Sequence, residues 1–195
     1  MNPKPTTTIW TSSHDWNGGF RKKIKQVFKE KSGRFQTPVV ISKSSLKMSY
    51  NMARKILKDV QAQSPNPQVH VIMLGDNNLR WFHNQPEDVL AMLRFLLAKT
   101  SKIQNCKIVI TSLIPTLESS EENFQTFVNF DKELAKILDP KHDMVDLRKS
   151  LRSKNGDIKE KLFQFDGVHL NSDEAKVLAN QIFNKLERLP RKFFE

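Results

Sequence analysis

Five short runs of β-branched and aliphatic residues alternate with five longer stretches whose apolar residues recur at three- and four-residue steps. The runs lie near 7–12, 38–42, 69–74, 107–113 and 143–147. Between and after them come Phe20, Ile24, Val27 and Phe28; then Leu46, Met52, Ile56, Leu57 and Val60; then Val89, Leu90, Leu93, Leu96 and Leu97. The last two sets are Phe124, Phe127, Val128, Leu134 and Leu138, and Ala175, Leu178, Ala179, Ile182, Phe183 and Leu186. Runs such as Val69–Leu74 are too continuously apolar to have a wet face, so they read as strands buried on both sides. Strand-helix alternation of this kind predicts a three-layer α/β/α domain. Its sheet is parallel, of about five strands in flavodoxin-like order, with right-handed crossovers. The 195 residues suit one core, and neither an internal repeat nor a low-complexity linker divides them, so residues 1–195 are read as a single domain.

Composition removes several classes of function. Hydrophobic residues make up 38% and charged residues 27%, as in globular chains, and no apolar run approaches the roughly 20 residues of a bilayer span. No membrane partner is expected. Met1–Thr6 shows no apolar signal core. The single cysteine, Cys106, allows no internal disulfide and no cysteine-rich metal site, which fits a reducing, cytoplasmic setting. Cys106 itself reads as packing. No metal or organic cofactor is expected.

The charge is unevenly spread. Residues 1–60 hold 13 Lys/Arg and three acids, a balance of +10, whereas the other 135 carry 19 Lys/Arg and 18 acids, a balance of +1. Concentration in one segment is the pattern of a polyanion-binding face rather than of a merely solvated surface. Arg21, Lys22, Lys25, Lys29, Lys31, Arg34, Lys43 and Lys47 are the candidate phosphate contacts. Arg34, just past Ser32-Gly33, is expected to project clear of its helix and meet phosphate with a bidentate fork. Phe35, Tyr50, Trp81, Phe193 and Phe194 are candidate stacking groups, the last two in a short basic-aromatic tail.

Two motifs carry chemistry. Asp166-Gly167-Val168-His169 places a carboxylate three residues before an imidazole, just ahead of a helix capped by Asn171 or Ser172. Such a carboxylate can fix the tautomer of a general base. Gly75-Asp76-Asn77-Asn78 follows the strand 69–74, and the carboxyl ends of parallel strands are where α/β sheets hold ligands. Each motif also has a plain reading, as a capping turn and a strand-ending turn.

In their order these blocks resemble the SGNH (GDSL-like) hydrolases. That resemblance implies Ser13, in Thr11-Ser12-Ser13-His14, as nucleophile, Asn77 as oxyanion amide, and Asp166 with His169 as orienter and base. The first block departs from Gly-Asp-Ser, and Ser42-Lys43-Ser44-Ser45-Leu46 lacks the glycine expected after the second strand. With these departures and the basic N-terminal third, the chain also resembles the degenerate, RNA-binding OSK-type branch known from insect germ-plasm proteins. The leading expectation is therefore an RNA-binding pseudo-hydrolase that contacts single-stranded mRNA in a ribonucleoprotein assembly. One alternative is an active serine esterase of the kind carried by some retrotransposons. A protein-interaction module is the other.

Overall fold

The computed structural model describes residues 4–12, 19–31, 33–43, 46–80, 83–117, 119, 121–153 and 158–190. Five parallel strands form one sheet in the order β2-β1-β3-β4-β5: β1 (Thr6–Thr11), β2 (Val39–Ser42), β3 (Gln68–Met73), β4 (Cys106–Thr111) and β5 (His142–Val145). The registers pair Ile9 with Val40 and Val71, and Ile72 with Ile110. The expected strands are all present, within one or two residues at each end.

Both faces of the sheet are covered, which explains the continuous apolar runs. Alternate residues Ile9, Val71 and Val109 meet α1 (Gly19–Lys31) and α7 (Ser172–Glu187). Their neighbours Trp10, Ile72, Ile108 and Ile110 meet α2 (Tyr50–Gln63), α4 (Pro86–Thr100) and α5 (Glu121–Lys136). Phe28 of α1 packs edge-on against Phe183 of α7 at 5.0 Å. The short helices α3 (Asp76–Arg80) and α6 (Arg148–Leu151) and a 3-10 turn (Glu160–Leu162) decorate the sheet ends. Gly75-Asp76-Asn77-Asn78, read as a turn, opens α3 instead. Among the described residues no helix is long and apolar enough to cross a membrane.

Two expectations need correction. Arg34 does not project into solvent. Its guanidinium donates to the Leu186 carbonyl at 2.7 Å and to the Leu189 carbonyl, while its backbone N–H meets Glu187 Oε1 at 3.0 Å. A cation fits there because the last carbonyls of a helix lack intrahelical donors. Phe35 is no stacking surface: it is 4% exposed and belongs to the α1/α7 core. Lys31 remains exposed, with its ammonium over the Phe183 ring at 5.2 Å. Cys106 opens β4 and is buried; burial, with a small opposing pull from Lys141, pushes its thiol up to about 12, and it packs as an inert group.

Candidate active site

The Asp166–His169 pair is assembled by its own local backbone. Gly167 N–H donates to the Gln164 carbonyl at 3.0 Å, closing a turn that needs Gly167 at φ +66°. A side chain there would be strained, and its Cβ would lie 3.3 Å from Leu117. Asp166 Oδ1 then accepts from the amides of Val168 and His169, each at 2.9 Å. Its other oxygen meets His169 Nδ1 at 2.6 Å. A carboxylate at Nδ1 assigns the proton to that nitrogen and leaves Nε2 with the lone pair of a base. Desolvation acts to raise the Asp166 pKa; the His169 ring and the two amides outweigh it and bring the carboxyl down to about 2.

Gln164 reinforces this turn, a role that sequence reading missed. Its backbone N–H donates to the His169 carbonyl at 2.7 Å and its side-chain amide to the Leu170 carbonyl at 3.0 Å. Asn171, not Ser172, caps α7, accepting from Asp173 N and Glu174 N at 3.0 and 3.1 Å. The imidazole therefore stands on a turn fixed at both ends.

The Asn77 corner is assembled differently. Gly75, at φ +126°, lets the chain leave β3 and enter α3. Asn77 is 1% exposed and donates one amide N–H to the Leu46 carbonyl at 3.0 Å. A primary amide has two N–H donors, so a second remains for a developing oxyanion. Beside it Asn78 grips the backbone of Met48 in both directions: Met48 N–H reaches Oδ1 at 2.7 Å, and Nδ2 reaches the Met48 carbonyl at 2.8 Å. Ser12 Oγ, at the end of β1, lies 3.5 Å from Asp76 Oδ1. The Asn77 and Asn78 bonds tie the loop after β2 to α3, and the Ser12 contact adds the end of β1.

One loop links the two corners. After β4, the Ile114 carbonyl accepts from Arg80 of α3 at 2.8 Å, and Leu117 N–H donates to the Gly167 carbonyl at 2.9 Å. Asn77 and the dyad thus belong to the same carboxyl-end rim of the sheet. Ser13 lies outside the described residues, as do Trp81, Phe193 and Phe194.

The basic candidates separate into distinct groups. Lys22, Lys25 and Lys29 are exposed on one side of α1, and Lys43 is exposed after β2. Arg21 is half-buried, donating to Ser42 Oγ at 2.5 Å, and Lys47 is half-buried. Tyr50 is 45% exposed and meets Phe95 edge-on. Sequence reading passed over Phe165, which is fully exposed on the turn that carries the dyad. Among the described residues no cluster of three His, Cys, Asp or Glu could hold a metal ion.

No protein-family model matches the chain, and no curated protein matches it in sequence. Its architecture is nevertheless shared with solved structures, among them esterases and lipases. A catalytic mutant of Axe2, an acetylxylan esterase from Geobacillus stearothermophilus, superposes with a TM-score of 0.76 at 14% identity over 95% of each chain. A GDSL-like lipase from Bacteroides thetaiotaomicron gives 0.71 at 13%, covering 95% of this chain and 89% of the other. TesA gives 0.70 at 15%, covering 95% and 99%. The fold is that of the SGNH (GDSL-like) hydrolases.

Proposed function

We propose that the carboxyl-end rim is a serine-type acyl-ester hydrolysis centre. The observation that carries this reading is the Asp166–His169 pair, held at 2.6 Å with the carboxylate fully ionised near neutral pH. Ser13 would attack the ester carbonyl as His169 Nε2 takes its proton. Asn77 and the Ser13 amide would donate to the oxyanion, and His169 would return the proton to the leaving alcohol. Water would then release the acid by the same route. The SGNH-like neighbours include esterases and lipases, which supports the reaction class. The test compares hydrolysis of a short activated acyl ester by the wild type and by Ser13→Ala. A rate that collapses in the variant is the expected result. No rate above the variant's in the wild type would reject the centre.

A second reading, an RNA-binding domain with a residual site, is favoured by a different observation. Lys22, Lys25 and Lys29 form an exposed row on α1, within the segment that carries nearly all the net charge. In this reading the Asn77–Leu46 bond marks an oxyanion corner given over to structure. RNA affinity would then fall with salt at a slope of roughly −0.7 per phosphate neutralised, and Lys22→Glu with Lys25→Glu would flatten it. A gel shift that is absent at moderate salt removes this reading.

A further inference from the structure

At the opposite end of the sheet from His169, a cavity of about 180 Å³ opens beside the edge strand β2. It is lined by Thr6 and Thr8 of β1, Val39 and Ile41 of β2, and Asp59 and Gln63 of α2. On this edge strand Val39 is 60% exposed.

The electrostatics of this cavity are one-sided. Asp59 Oδ2 accepts from Gln63 Nε2 at 2.8 Å, and the Gln63 oxygen accepts from Thr6 at 2.7 Å. The nearest ionisable partner is His70, whose Nδ1 lies 3.8 Å from Asp59 Oδ2. That nitrogen takes the indole N–H of Trp10 at 3.3 Å, and Nε2 faces Gln68 Oε1 at 2.7 Å. The ring is fully buried, and burial lowers its pKa to about 4. His70 is therefore neutral near pH 7 and offers Asp59 a lone pair rather than a charge. Among the described residues no Lys or Arg pairs with Asp59, in a chain with 32 of them. The last turn of α2, where a cation would also meet the helix's negative end, contains no basic residue.

We propose that this cavity binds a guanidinium or ammonium group on a short alkyl stem. The cation would sit against Asp59 and the α2 terminus, the threonine hydroxyls would accept its remaining N–H groups, and Val39 with Ile41 would cover the stem. The site is independent of the hydrolase rim.

Agmatine is a suitable probe, followed by amide chemical shifts in the intact chain, with butylurea as its neutral counterpart. Saturable shifts at Thr6–Thr8, Val39 and Gln63 with agmatine and none with butylurea are expected. Asp59→Asn should weaken binding at least tenfold, and Thr8→Val more mildly. Both variants would be checked for a native spectrum. The peptide acetyl-Val-Arg-Val-amide distinguishes the source of the cation. Binding tighter than agmatine's points to a partner polypeptide's side chain, and equal or weaker binding points to a free guanidinium compound. Shifts that never saturate, or that persist unchanged in Asp59→Asn, would overturn the proposal.

Discussion

The two corners of the rim are built on different principles. The Asp166–His169 corner closes within six residues, from Gln164 to His169, through hydrogen bonds that the segment makes to itself. The Asn77 corner exists only because residues about 30 positions apart meet: Asn77 with Leu46, and Asn78 with Met48. A local turn can keep its geometry while the remainder of a site diverges. A long-range clamp changes whenever either partner loop changes. The dyad turn thus keeps its geometry independently of the glycine-free loop after β2 that Asn77 and Asn78 hold.

Substitutions at the first corner should have the largest effect. Asp166→Asn keeps an oxygen for the two amides but no longer dictates the imidazole tautomer. Ester hydrolysis should fall roughly 10³–10⁴-fold, and adding His169→Ala should cost little more, because the pair acts as a unit. Full additivity of the two losses would show that the corner is not one device.

At the second corner Asn77→Ala should lower kcat roughly 10²–10³-fold if its second N–H serves the oxyanion. A variant that melts earlier yet hydrolyses esters as before would assign Asn77 to structure alone. Asn78→Leu should act on stability instead, since it leaves both polar groups of Met48 unpaired in a buried loop. About 2–3 kcal/mol is expected in denaturant unfolding. A loss below 1 kcal/mol would mean that the loop finds other partners.

The pH dependence of stability separates the dyad from the remainder of the fold. His70, lowered to about 4, stays neutral in the folded chain while the unfolded chain protonates it near 6.5. Its contribution is present above pH 6.5 and is lost as pH falls toward 4, by up to about 3 kcal/mol. Asp166, lowered to about 2, contributes above its ordinary value and loses that contribution only below about pH 4. Asp131 is raised to about 7 by burial, against the pull of Arg148, and slopes the other way. It cancels when wild type and His70→Gln are compared. The difference between their stability curves should therefore grow between pH 4 and 6.5; a flat difference would mean that His70 titrates alike in the folded and unfolded chains.

The readable and unreadable features divide along the same line. The strands were legible because a sheet covered on both faces demands unbroken apolar runs, and the dyad because Asp166 and His169 are three residues apart. The Asn77 position was legible as a strand end, but not as the start of α3, since a glycine after a strand signals a turn as readily as the φ of +126° through which Gly75 enters the helix. Arg34 was misread because its partners, Leu186 and Leu189, are more than 150 residues away. Phe35 was misread because its neighbour Arg34 stands over it and α1 and α7 bury it. Phe165 was passed over among thirteen phenylalanines because nothing local distinguishes an exposed aromatic from a core one.

By itself, then, the sequence determined the layered α/β architecture, the concentration of charge in the first third, and the turn that joins Asp166 to His169. Each follows from periodicity, counting or bonds within a few residues. Tertiary structure decided which cations remain on the surface, which amide N–H of the Asn77 corner is already engaged, and that Asp59 faces a cavity beside a neutral histidine. Those outcomes depend on burial and on donors brought from distant segments, and the cost of leaving a buried polar group unpaired makes such long-range pairings obligatory once the fold forms.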